Sequence, residues 1–329
     1  MAEEKKFDKK ALIPVFLMGC LFVLVHGLAL LATAPFEAAG MQPAFENPDD
    51  PMNIVFIFII LLTFTVVILL IARFWKKQLI QALILGAIGY TAAYLFYPLL
   101  TLVIPDVAAY ISISEDLVLV ISASIIVAVV LAIILVYILY KFPEWYVIDF
   151  AGIIVGAGAI AIFGMSLGVL LVLFLLVGLA IYDAISVYKT KHMIDLADTV
   201  LDLKLPVLLV VPKVRHYSLI KETKSLKQKI KEDDERDAFF MGLGDIVMPG
   251  ILVAAIYNNK ELINSVFGSL PIALSTIIGT LVGFAILMIF VMKGKPQAGL
   301  PLLCGGAIAG YIISSLVLFG ELKGLTFSF

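Results

Sequence analysis

The sequence predicts an all-α polytopic membrane protein with about nine transmembrane helices. Of its 329 residues, 62% are hydrophobic and only 15% are charged. A water-soluble domain cannot bury that much apolar surface, so the bilayer must act as the solvent. The apolar residues also fall into runs, most of which approach the ~20 residues needed to cross the hydrocarbon. Cys20 and Cys304 both lie in such runs and carry no disulfide or metal signature.

Nine apolar runs are predicted as spans. The first follows a cytoplasmic N-terminal tail (1–11), and its length of about 22 residues exceeds the core of a cleavable signal peptide, so we interpret it as a retained helix. Six spans fill residues 12–188, a cytoplasmic loop occupies 189–238, and three spans fill 239–329. The predicted spans are 12–34, 52–74, 79–104, 117–140, 146–163, 168–188, 239–256, 270–292 and 299–319.

The basic residues predict the orientation of these spans. With the N-terminus placed inside, 21 of the 23 Lys and Arg residues fall in inside segments, and only Lys260 and Lys323 fall outside. The positive-inside rule therefore places the N-terminus in the cytoplasm and the C-terminus outside. An odd number of spans is consistent with this orientation.

The loop at 189–238 is the one sizeable polar region of the sequence. His192–Lys204 carries aspartates at helical spacing and is predicted as an amphipathic helix. Leu205–Pro212 (LPVLLVVP) is β-branched and bounded by prolines, which predicts a short strand. The mixed-charge run Lys221–Asp237 is predicted as a solvated linker.

Aspartates inside predicted spans carry the functional signal. Asp183 lies in the sixth span (GLAIYDAISVY) and Asp245 in the seventh (FFMGLGDIVMPG). An aspartate near the centre of a span costs ~2.5–3.5 kcal/mol on insertion scales, so it needs a compensating use. Helical rise from the flanking basic residues puts them ~9 Å and ~13 Å from the inner edge. Because sequence-adjacent helices often pack side by side, the two carboxyls are expected to meet. Asp149, near the start of span five, is expected at the inner interface instead.

A close carboxylate pair has two chemical uses that the residues alone do not separate. Two like charges at close range share one proton, which is the chemistry of aspartic proteases. Gly242 and Gly244 would let a backbone come close to the Asp245 carboxyl. A proton or cation transporter uses such a pair equally well. The residues alone therefore predict either a protease or a secondary transporter. The sequence contains no H-E-x-x-H, no phosphate-binding glycine loop and no nucleic-acid patch.

Two short motifs resemble signatures of a known family, and a third stretch departs from its counterpart there. Tyr182-Asp183 in one span and Gly242-Leu243-Gly244-Asp245 in the next resemble the signatures of presenilins and signal peptide peptidases, the GxGD-type intramembrane aspartyl proteases. The family's third signature, Pro-Ala-Leu, precedes the last span. Here that stretch reads Ala298-Gly299-Leu300-Pro301, so that only Leu300 matches.

The resemblance implies a presenilin-like fold and an intramembrane aspartyl endopeptidase with Asp183 and Asp245 as its catalytic pair. Its substrates would be transmembrane helices of other proteins in the lipid bilayer, and the LPVLLVVP strand would pair with an unwound substrate. The site would be shaped by the three motifs: Tyr182, Gly242, Leu243, Gly244, Ala298, Gly299, Leu300 and Pro301. No cofactor, metal, nucleic acid or obligatory partner subunit is expected. The compact chain most resembles archaeal members, which implies the plasma membrane of a prokaryote.

The predicted orientation has a direct test. With one epitope tag at each terminus, protease added to intact cells should remove only the C-terminal tag, because the N-terminal tag is cytoplasmic. Permeabilised cells, in which both tags should be lost, provide the control. Loss of the N-terminal tag from intact cells would contradict the orientation.

Overall fold

A computed structural model describes residues 12–74, 77–110, 117–190, 208–214, 217–219, 237–292 and 297–325. The tail at 1–11, the amphipathic segment at 192–204 and most of the mixed-charge run lie outside these residues. The described helices and strands are α1 (Leu12–Ala38), α2 (Met52–Phe74), α3 (Lys77–Tyr110), α4 (Leu117–Lys141), α5 (Trp145–Ser166), α6 (Val169–Ile185), β1 (Leu208–Pro212), β2 (Ala238–Gly242), α7 (Leu243–Asn258), α8 (Lys260–Ile263), α9 (Leu270–Met292) and α10 (Gly299–Phe319).

The described part of the chain confirms a mostly helical membrane architecture. Seven of its helices are long and apolar enough to cross a bilayer: α1, α3, α4, α5, α6, α9 and α10. Helix α2 has 23 residues, whereas α7 has only 16, fewer than the ~20 that a full crossing needs. The count of nine crossings and the orientation of the termini remain predictions.

Helix α5 lies at the centre of the bundle and contacts α1, α3, α4, α7 and β1. Small residues allow this density of neighbours, because they let helix backbones approach closely. At Gly164, a Cβ atom would overlap Ala254 of α7. The close approach of α5 and α7 therefore depends on the glycine, and it fixes the position of the short helix that carries Asp245.

Among the described helices, α9 and α10 form the most extensive pair. Their contact is lined by glycines on both helices, where an added Cβ atom would overlap the backbone of the partner helix: Gly279, Gly283, Gly306 and Gly310. In a bilayer the hydrophobic effect does not drive helices together, so the van der Waals packing at such small-residue contacts stabilises the pair instead. The pairing sets the height and direction at which α10 begins beside the predicted site.

Strands β1 and β2 form an antiparallel pair that begins with Leu208 opposite Gly242 and ends with Pro212 opposite Ala238. Strand β1 lies within the predicted LPVLLVVP strand, whose first three residues are outside the described ranges. Strand β2 corrects the predicted seventh span, which starts at 239. Residues 238–242 are apolar enough to resemble a span, but β1 satisfies their backbone groups and the helix begins only at Leu243.

Asp149 attaches this strand pair to α5. Its carboxylate accepts a hydrogen bond of 2.7 Å from the backbone N–H of Val210, and its side chain is only 8% exposed. Nearby, a Cβ atom on Gly152 would lie 2.7 Å from Leu209 Cδ2, so β1 packs directly on the helix. Asp149 therefore serves the strand pair, a role that its predicted place at the interface did not include.

Candidate active site

Asp183 lies near the C-terminal end of α6. Its side chain is only 8% exposed, although it sits in an otherwise apolar helix. Directly after Ile185 the helix widens into a π-helical turn, Ser186–Thr190, a feature that is frequent at functional sites. The neighbouring Tyr182 is 70% exposed, so its ring projects to the outside of the helix while the Asp183 carboxyl is buried.

Asp245 lies in the first turn of α7. Gly242 has extended backbone angles (φ −62°, ψ 133°) and caps the helix, which makes Asp245 the third helical residue. The carboxyl turns back over this cap, since a Cβ atom on Gly242 would lie 3.5 Å from Asp245 Oδ2. A helix N-terminus favours a carboxylate, because its first N–H groups lack intrahelical partners. The depth of ~13 Å predicted for Asp245 assumed a continuous helix, whereas residues 238–242 form β2. The depth itself stays a prediction.

The start of α10 lies between the two carboxyls. The backbone N–H of Leu300 donates a hydrogen bond of 3.1 Å to Asp183 Oδ2. On the neighbouring residue, a Cβ atom on Gly299 would lie 3.0 Å from Asp245 Oδ2. The Gly299–Leu300 peptide therefore contacts one carboxyl and closely approaches the other. Ala298 caps α10 and is buried, and Pro301 follows in the first turn, where a missing N–H costs nothing.

The two middle residues of the Gly-Leu-Gly-Asp motif face different surroundings. Leu243 packs on α5, where its Cδ1 atom would lie 3.2 Å from a Cβ atom on Gly156. Gly244 is exposed, and a Cβ atom added there would meet nothing within 4 Å. Leu243 thus attaches α7 to the bundle, while Gly244 leaves one side of Asp245 open.

Comparisons with known proteins agree with this geometry. A family model described as "Signal-peptide peptidase, presenilin aspartyl protease" matches residues 19–320. The chain belongs to that family. It also resembles a solved presenilin family intramembrane aspartate protease in a C222 crystal form, at 32% identity, 92% coverage of this chain, 99% of that chain and a TM-score of 0.63. A P2 crystal form of such a protease matches at 32% identity, with 91% and 96% coverage and a TM-score of 0.61. No match was found among curated proteins.

Membership of the presenilin and signal peptide peptidase family confirms the resemblance that the sequence motifs indicated. It supports an intramembrane aspartyl endopeptidase and not the transporter alternative. Among the described residues of this presenilin-family protease, no group of three or more His, Cys, Asp or Glu side chains could hold a metal ion.

A hydrogen bond outside the motifs links the two segments that meet at Asp183. The Tyr188 hydroxyl, in the π-helical turn after α6, donates to Gln297 Oε1 at 2.6 Å. Gln297 directly precedes the Ala298-Gly299-Leu300 stretch. This contact and the Leu300 bond to Asp183 together join the end of α6 to the start of α10. Sequence reasoning did not find the pair, because 109 positions separate its members.

His26 of α1 contacts the first turn of α7, the turn that carries Asp245. It is fully buried, and its Nε2 atom lies 3.0 Å from the backbone carbonyl of Ile246, the residue after Asp245. Because a carbonyl only accepts, Nε2 must carry the hydrogen. Pro249 in the same helix lacks the N–H that would otherwise bond the Asp245 carbonyl four residues earlier. His26 thus holds the first turn of α7 at a point where a proline weakens its hydrogen bonding.

Gly299 generates the first test of this site. Gly299→Val should lower kcat at least about tenfold, since branched methyl groups would displace the Asp245 carboxyl and small misplacements near the chemistry are costly. Gly305→Val, on the same helix with nothing within 4 Å of an added Cβ atom, should keep wild-type activity. Equal activity in the two variants, measured by cleavage of a single-span substrate, would contradict the close approach.

His26 generates the second test. His26→Leu removes the bond to the Ile246 carbonyl and should lower kcat roughly tenfold to a hundredfold with little change in KM. His26→Gln retains an N–H donor at a similar reach and should restore most of the rate. Phe22→Leu, which alters packing next to the His26 ring, should lower thermal stability without the loss in kcat. Equal kcat values for His26→Leu and His26→Gln would contradict a positioning role for the His26 N–H.

Proposed function

We propose that Asp183 and Asp245 form the catalytic pair of this protease and hydrolyse peptide bonds within or near transmembrane helices of substrate proteins. The observation that carries the proposal is the placement of both carboxyls around the Gly299–Leu300 peptide, one through a 3.1 Å hydrogen bond and the other in close approach. Two carboxyls that approach one backbone peptide from different helices are near enough to act on one substrate bond.

The chemistry follows from the shared proton of such a pair. Two carboxylates at close range cannot both ionise, so one retains a proton. The ionised group takes a proton from water, and the protonated group donates a hydrogen bond to the scissile carbonyl. The apolar bundle strengthens these interactions by excluding bulk water. The assignment of the two roles belongs to the pair and not to either residue.

The strand pair supports a mode of substrate binding. A peptide bond in a helix is shielded, so the substrate must unwind locally before water can attack. On the side of β1 that faces away from β2, the Val210 N–H already donates a hydrogen bond to Asp149. A third strand would therefore pair with the other side of the sheet, along β2. Strand β2 runs directly into Gly242 and the Asp245 turn, so a substrate strand added there would lead to the carboxyl pair. This proposal puts the substrate on β2, one strand away from the LPVLLVVP strand that the sequence resemblance implied.

The remaining features of the proposed function rest on sequence. With the predicted orientation, substrates would be spans with their N-termini outside. The enzyme would act without obligatory partner subunits, in the plasma membrane of an archaeal-type prokaryote. Purified protein alone in detergent should therefore cleave a single-span substrate.

The catalytic assignment is tested by amide substitutions. Asp183→Asn and Asp245→Asn should each reduce cleavage by purified protein at least about 10²-fold, because each removes one member of the acid–base pair. The double variant should be no worse than either single one, since the residues act as a unit. Glu321→Gln changes an exposed carboxylate in the same way and should keep full activity.

Two outcomes would overturn the assignment. One is residual cleavage above a tenth of the wild-type rate in either aspartate variant, with the protein still folded. The other is proton or cation flux through proteoliposomes that depends on both residues while no substrate is cut in either orientation, which would revive the transporter.

A further inference from the structure

A groove runs along the outer surface of the bundle between α3 and α4. Its lining residues within the described part of the chain all belong to these two helices. Its volume is about 980 Å³, and its α3 wall extends from Gln78 to Ala93. At 1.5 Å per residue that wall is ~22 Å long, which matches one leaflet with its headgroups, half of a ~40–45 Å bilayer. The groove therefore has the length of one lipid molecule standing in one leaflet.

Most of the groove is apolar, and glycines of α3, which have no side chains, form its floor. A Cβ atom on Gly89 would lie 3.0 Å from Val136 Cγ2, so α3 and α4 touch there. One turn away, a Cβ atom on Gly86 would meet nothing within 4 Å, so the floor is open at that point. Exposed aliphatic side chains of α4, including Ile133, form the opposite wall. The hydrocarbon chain of a lipid suits such a channel, because it is flexible and can fill a narrow apolar space.

One end of the groove is polar and carries a cation. Gln78 and Gln81 begin the α3 wall, and Tyr137 and Tyr140 end the α4 wall beside them. Lys141 follows directly, and its Nζ atom donates a hydrogen bond of 3.2 Å to the Tyr137 hydroxyl. Amide and phenol donors next to an ammonium group complement a phosphate, which offers several acceptor oxygens and negative charge.

We propose that the α3–α4 groove is a binding site for one anionic phospholipid, with an acyl chain over Gly86 and the phosphate at Lys141, Gln78 and Gln81. The charge selects the headgroup, since a zwitterionic lipid offers no net charge to the lysine. The shape selects a chain over a helix, because a helix ~10 Å across does not fit where α3 and α4 touch at Gly89. The site is separate from the carboxyl pair and does not depend on the proposed function.

The experiment is native mass spectrometry of the full chain released from detergent with added lipid. Wild-type protein should retain one phosphatidylglycerol and should retain phosphatidylcholine of the same chain length at least fivefold less. Gly86→Leu adds a side chain at the open floor of the groove, where an added Cβ atom meets nothing within 4 Å, and should reduce phosphatidylglycerol binding at least tenfold. Lys141→Gln should reduce it about fivefold, the contribution of one basic residue near a membrane surface.

Matched controls separate the groove from general effects of the changes. Gly305→Leu adds the same side chain at an exposed glycine of α10, and Lys260→Gln removes an exposed cation from α8; both should bind phosphatidylglycerol as wild type does. Equal retention of the two lipids, or binding unaffected by Gly86→Leu, overturns the proposal. So does a dimer mass that disappears in Gly86→Leu, which would assign the groove to a second copy of the chain.

Discussion

The structure depends on the placement of two carboxyl groups beside one backbone peptide in an apolar helical bundle. An ionisable group removed from water needs hydrogen-bond donors that do not move away. Asp183 obtains one from the Leu300 N–H at the start of α10, and Asp245 lies in the first turn of α7, where unpaired N–H groups are found. The end of α6 and the starts of α7 and α10 must therefore lie within a few ångströms of one another. Much of the remaining packing holds these three segments in place.

Small residues make the meeting possible. Gly164 lets α7 approach α5, and the glycines between α9 and α10 let α10 start at the correct height. Gly299 then lets the beginning of α10 reach the Asp245 carboxyl without a side chain between them. Here the departure from the Pro-Ala-Leu signature has a physical consequence, since the residue that replaces alanine is Gly299, where a Cβ atom would lie 3.0 Å from Asp245 Oδ2. His26 and Tyr188 add hydrogen bonds that hold α7 and the end of α6 in place.

Sequence reasoning reached the membrane class and the family. It also singled out the two aspartates, because a carboxylate in an apolar run is costly to place in a bilayer. It extended the seventh span too far, since Phe239, Phe240 and Met241 are as apolar as a membrane helix and hydropathy does not register strand pairing. It also could not find the supporting contacts. His26 and Ile246 are 220 positions apart, and Asp149 and Val210 are 61 apart. Such pairs become visible only when the helices are packed.

The most direct test of the central claim measures the proximity of the two carboxyl positions without relying on activity. In a chain with Cys20 and Cys304 changed to Ser, Asp183→Cys and Asp245→Cys are combined and treated with a short bifunctional thiol reagent, and the basic loop between them is then cut with trypsin. The account predicts that the two fragments stay covalently joined, whereas a Tyr182→Cys and Asp245→Cys pair gives separate fragments because Tyr182 faces outward. Separate fragments from the first pair, or equal joining in both, would contradict a shared site.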